Sequence, residues 1–68
     1  MNRKIVQVKL DEHVVNLRVA SGTEKSVRDA EALVNRRFQY FRDMYPNASS
    51  EQLWMYTAIK TAIVTQSQ

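Results

Sequence analysis

Cysteine is absent from this 68-residue chain, and glycine, proline and histidine each occur once, as Gly22, Pro46 and His13. Without cysteine there is no disulfide and no thiolate metal site, and one histidine makes poor material for an imidazole site. A single glycine supplies no glycine-rich loop whose backbone amides cradle a phosphate. One proline and one glycine are too few for a linker, and 44% hydrophobic residues is too many for a disordered chain. Long apolar runs are also missing. After Met1-Asn2-Arg3-Lys4 the residues alternate apolar and polar, unlike the uninterrupted core of a signal peptide. The apolar stretch near the end is short and threonine-rich for a bilayer span. These absences point to a cytoplasmic protein with no membrane insertion and no metal. The lack of cysteine fits a reducing compartment.

What is present is a chain of marginal size for independent folding. A domain of about 60 residues buries only about 60% of its unfolded surface. Disulfides, a metal or self-association are the usual remedies, and composition leaves the third. Net charge is +3. Residues 1–22 hold four basic and two acidic groups, residues 23–46 five and four, and residues 47–68 one of each. So modest an excess permits an acidic partner without requiring one.

The patterning predicts an α+β protein of order β-β-α-α, a single domain over 1–68. Residues 4–19 read as a β-hairpin, with Val6, Val8 and Leu10 on one face together with Val15, Leu17 and Val19. Taking Glu12-His13 as the turn sets Leu10 opposite Val15, Val8 opposite Leu17 and Val6 opposite Val19. The turn lacks Asn-Gly or Asp-Gly chemistry, so its length stays open. Ser21 and Glu24 have capping-box spacing before a helix over 22–45. That helix carries a stripe of Val27, Ala30, Val34, Phe38, Phe41 and Tyr45; Arg28, Asp29, Asn35, Arg36, Gln39, Arg42 and Asp43 lie opposite. Pro46 ends it. Ser49 and Gln52 form a second capping box for a helix over 50–66.

The second helix is the most informative segment. Between Leu53 and Val64 its only charge is Lys60, and at about 100° per residue the apolar side chains sweep well past a third of the wheel. So short a chain covers one side of such a helix, which leaves another side for a second copy or another protein. Leu53, Tyr56, Ile59 and Ile63 are expected in a dimer interface, with Trp54 at the edge as an anchor.

Catalytic constellations are lacking. His13 has no serine or cysteine partner placed by a motif, Ser49 and Ser50 are explained as helix caps, and the carboxylates are scattered. The arginines are more informative. Arg28 has Glu24 and Glu31 at helical spacing, while Arg36 and Arg42 have no carboxylate on a neighbouring turn. A solvated face is one reading; the other is a docking surface for an acidic partner, made by guanidinium groups. Phe38 and Phe41 lie on the core stripe, which favours packing over nucleic-acid stacking.

The order and spacing of these residues resemble the globular head of the ZapA family of bacterial cell-division proteins. The resemblance runs over residues 5–64: a strand pair like Ile5 to Val19, then a helix with Ala30, Val34-Asn35, Arg37-Phe38-Gln39 and Phe41-Arg42. Ser50-Glu51-Gln52-Leu53 then opens a helix continuing through Ala58-Ile59. The family implies a non-enzymatic adaptor without cofactor or small-molecule substrate. It binds FtsZ, the tubulin-like GTPase of the division ring, and cross-links its filaments. It works as a homodimer, and as a tetramer where a long coiled coil follows the head. By position, its charged contacts to FtsZ would fall on Arg42, Glu51 and the hairpin-tip residue His13, with Arg36 added from the arginine reading. The implied location is the cytoplasmic division site. Pro46 replaces a loop position that is basic in some relatives, the hairpin tip lacks their glycine, and their last helix runs well beyond Gln68. The coiled-coil extension is thus expected to be absent or truncated here. A small basic dimeric nucleic-acid binder and a generic dimerisation module are the rival readings, nucleic acid being the less favoured partner.

Overall fold

The computed structural model describes residues 2–67. Four elements follow in order: strands β1 (Arg3–Leu10) and β2 (His13–Ala20), then helices α1 (Glu24–Met44) and α2 (Ser50–Gln66). The architecture is the α+β arrangement read from the periodicity. The residues group into two compact units, one up to Asn35 and one from Arg36 onward.

In the first unit β1 and β2 pair antiparallel, with Leu10 opposite His13, Val8 opposite Val15, Val6 opposite Leu17 and Lys4 opposite Val19. The turn is therefore Asp11-Glu12, and His13 is the first residue of β2 instead of a turn residue. Relative to the register expected with Glu12-His13 at the turn, each cross-strand partner moves by two positions. A slip of two keeps every side chain on its face, so Val6, Val8, Leu10, Val15, Leu17 and Val19 still line one side. Two features set the turn one residue earlier. Asp11 adopts φ of 59°, a left-handed conformation that aspartate tolerates better than most residues. Its N–H also donates to the Asn35 side chain of α1 at 2.7 Å.

Val6 and Val8 are buried, while Val15 and Leu17 keep 39% and 40% of their surface exposed. A cavity of about 300 Å³, lined by Val8, Leu10, Leu17, Val27, Ala30 and Val34 among others, lies within this unit. The first turn of α1 differs from expectation. Gly22 has φ of 91°, outside helical space, so the helix begins at Glu24 and not at residue 22. The capping box expected from Ser21 gives way to other bonds. The Thr23 hydroxyl donates to the Ala20 carbonyl at 2.6 Å, and the Glu24 carboxylate accepts from the Gly22 N–H at 2.8 Å.

In the second unit α1 stops at Met44, ahead of Pro46, and α2 begins as expected. Ser49, extended at φ −70° and ψ 159°, accepts from the Gln52 N–H, and the Gln52 side chain accepts from the Ser49 N–H. Phe38, Leu53 and Thr57 are buried. The Thr57 hydroxyl is satisfied there by donating to the Leu53 carbonyl at 2.8 Å. Phe38 meets Trp54 with ring centroids 4.0 Å apart, and Tyr56 lies 5.8 Å from Phe41 and 5.2 Å from Tyr45. The bulk of this small core is aromatic, which gives the most buried surface per residue.

Candidate functional site

The structure sorts the apolar residues of α2 into two groups. Leu53 is 3% exposed, and Trp54 is half-buried with its ring against Phe38. Tyr56, Ile59 and Ile63 remain exposed at 37%, 62% and 52%, joined by Met55 at 59%. Spacings of three and four put Met55, Tyr56, Ile59 and Ile63 on one side of the helix. The result is a contiguous apolar stripe open to solvent on a helix whose other side is covered.

Of the charged candidates, Arg36, Arg42 and Glu51 belong to the unit from Arg36 onward, and His13 to the other. Arg36 is exposed on α1. Arg42, one turn beyond Phe38, holds its guanidinium carbon 5.0 Å from the centre of that ring, a cation–π contact on the edge of the aromatic core. Six positions separate the two arginines, a rotation that leaves them about 120° apart around the helix. They therefore do not form one arginine face. Glu51 is exposed in the first turn of α2, where a carboxylate suits the positive end of the helix dipole. Arg28 pairs with Glu31 at 2.9 Å, one of the two carboxylates that helical spacing offered it, while Glu24 pairs with Lys4.

Two α1 residues acquire roles that the periodicity did not suggest. Glu31 accepts the Lys9 N–H at 2.6 Å, and Asn35 donates to the Lys9 carbonyl at 2.8 Å while accepting from Asp11. Asn35 is thus not on a solvated face. With Glu31 it closes the backbone groups of β1 beside the turn. Their spacing of four on the margin of the Val27–Val34 stripe was the available signal. The bond from Lys9 N–H and the Arg28 guanidinium hold the Glu31 carboxyl below the usual glutamate value. Glu24 is likewise held low, chiefly by its hydrogen bond from the Lys4 ammonium at 2.9 Å and then by backbone N–H groups.

This arrangement offers an adhesive apolar stripe and scattered charges. No helix among the described residues is long and apolar enough to cross a membrane. No curated protein and no solved structure matches the chain. The family described as Cell division protein ZapA matches residues 6–66, nearly the whole length. With the hairpin and two helices in the order read from the residues, the chain belongs to the ZapA family, cell-division proteins associated with FtsZ.

Proposed function

We propose that this chain is a non-enzymatic adaptor of the division ring, a head domain that dimerises and cross-links FtsZ filaments at the cytoplasmic division site. The family match over residues 6–66 carries this reading. The open stripe of Met55, Tyr56, Ile59 and Ile63 supports the dimer. A chain this short gains more from covering that stripe with a second copy than from leaving it in water. A two-fold dimer presents every docking residue twice, so one dimer holds two filaments, and the second attachment benefits from effective concentration. Arg42 and Glu51 are proposed as docking residues, with Arg36 and His13 contributing. Leu53 and Trp54 support the interface from beneath through the packing of α2.

Sedimentation of FtsZ polymer with the wild-type protein and with Arg42→Glu tests this reading. Wild-type protein is expected in the pellet with bundled polymer, and the reversed charge is expected to reduce co-pelleting at moderate salt. No co-pelleting by wild type refutes the adaptor reading. Equal co-pelleting by the two proteins removes Arg42 from the docking set.

A further inference from the structure

The sheet face opposite Val6 and Val8 carries Arg3, Ile5, Gln7 and Lys9 from β1 and Val14, Asn16, Arg18 and Ala20 from β2, all exposed. It has three cations and no carboxylate. Ion pairs among the described residues join Lys4 to Glu24, Lys25 to Asp29 and Arg28 to Glu31, so Arg3, Lys9 and Arg18 take part in none of them. Their placement is directional. Arg3 lies opposite the small Ala20 and Lys9 opposite the short Val14, while Arg18 stands on β2 itself. All three long side chains therefore have a clear course toward the outer edge of β2.

That edge is also open in its backbone. A two-residue turn makes Leu10–His13 a hydrogen-bonded pair, and antiparallel pairs alternate. Val8–Val15 and Val6–Leu17 then exchange bonds, whereas Lys9, Val14, Asn16 and Arg18 turn their N–H and C=O groups outward. The Lys9 bonds to Glu31 and Asn35 show this direction and cover that part of the β1 edge. Among the described residues the sheet has two strands only, so Val14, Asn16 and Arg18 have no strand beyond them. On the inner face, Val15 and Leu17 leave a fringe of half-exposed apolar surface along the same edge.

We propose that the outer edge of β2 captures an extended acidic polypeptide segment as a third strand. An added strand presents alternate side chains to the two faces. One set lies beside Val14, Asn16 and Arg18 under the three cations, where carboxylates are favoured. The other lies beside Val15 and Leu17, where aliphatic side chains are favoured. The chemistry of the partner is thus an alternation of acid and aliphatic residues. Nucleic acid fits less well, because Arg3–Ala20 contains no Phe, Tyr or Trp, and its one ring, the His13 imidazole, belongs to the Val6 and Val8 face.

The test titrates the full chain with a labelled, end-capped octapeptide of alternating glutamate and valine, following anisotropy and residue-resolved amide exchange. Saturable binding that weakens with salt is expected, with new protection at the Val14, Asn16 and Arg18 amides. Arg18→Glu should weaken binding roughly tenfold or more. Arg3→Glu serves as a second variant should the first alter the circular dichroism spectrum. A peptide of the same composition with its acids and valines segregated should bind at least about tenfold more weakly, because half its side chains meet the wrong face. Absent binding, protection elsewhere, or equal affinity for the segregated peptide would overturn the proposal. So would tighter binding of a thymidine oligonucleotide to the same amides, or concentration-dependent protection of that edge in the protein alone, which would assign it to a second copy. The assay contains no FtsZ, so its failure leaves the division-ring reading standing.

Discussion

Ile59→Ala separates the energetics of the proposed dimer from those of the single chain. The substitution removes three carbons, each worth about 0.8 kcal/mol when taken out of water, or about 2.4 kcal/mol for the whole difference. Ile59 is 62% exposed in the single chain, so most of that gain is still unrealised before association. A partner that covers it fully would recover about 1.5 kcal/mol per protomer, and about 3 kcal/mol in a two-fold dimer where the residue counts twice. The dimer dissociation constant should then rise roughly a hundredfold. Folding of the dilute monomer should barely respond, since alanine is a better helix former than isoleucine at an exposed site. Sedimentation equilibrium over a range of concentrations reads the first quantity, and urea unfolding at high dilution reads the second. Wild-type protein that stays monomeric at high concentration would refute an interface at Ile59. So would an Ile59→Ala variant that destabilises the dilute chain while leaving association unchanged.

Phe38→Ala acts in the opposite way. Phe38 is 1% exposed and stacked on Trp54, and truncating a buried phenylalanine costs about 3–5 kcal/mol. That is comparable with the whole stability of so small a domain. The urea midpoint should fall sharply and the emission of Trp54, the only tryptophan, should report the loss; an unchanged midpoint would contradict the packing. Glu31→Gln should flatten the acid limb of stability. The Glu31 carboxyl is held below its ordinary value of 4.5, so its stabilising effect is complete above that value and is lost as pH falls through the lowered one. Glutamine keeps an acceptor for the Lys9 N–H without titrating, so the gap between urea midpoints at neutral and acid pH should narrow, and an unchanged gap would exclude the Glu31 contribution.

Much of the fold was legible from local signals. Alternation at Val6, Val8 and Leu10 marked a strand, the stripe through Val27, Val34 and Phe38 marked a helix, and Pro46 with the Ser49–Gln52 pair marked its end and the next beginning. These features act through bonds and sterics within a few residues, which is why they survive without tertiary knowledge. Turn placement did not survive. Asp11-Glu12 and Glu12-His13 leave the same faces apolar, and the choice between them rests on a left-handed Asp11 and the bond its N–H donates to Asn35, a residue 24 positions away in sequence. The start of α1 failed similarly, because the conformation of Gly22 outweighed the spacing of Ser21 and Glu24. Among the charged candidates, the pattern named Arg36 and Arg42 as residues with no carboxylate on a neighbouring turn but did not anticipate that Arg42 lies over the Phe38 ring.

The order of elements, their periodic faces and the surplus of apolar residues on α2 were determined by the residues alone, since each depends on neighbours one or two turns apart. Which of those apolar residues are spent inside the chain was decided only by packing. Trp54 turns toward Phe38 and Leu53 is buried, leaving Met55, Ile59 and Ile63 in solvent, because one core can bury only one side of a helix. The open cationic edge of β2 has the same origin: a strand is complete on paper, but whether its outer hydrogen bonds are filled depends on what the folded chain brings beside it.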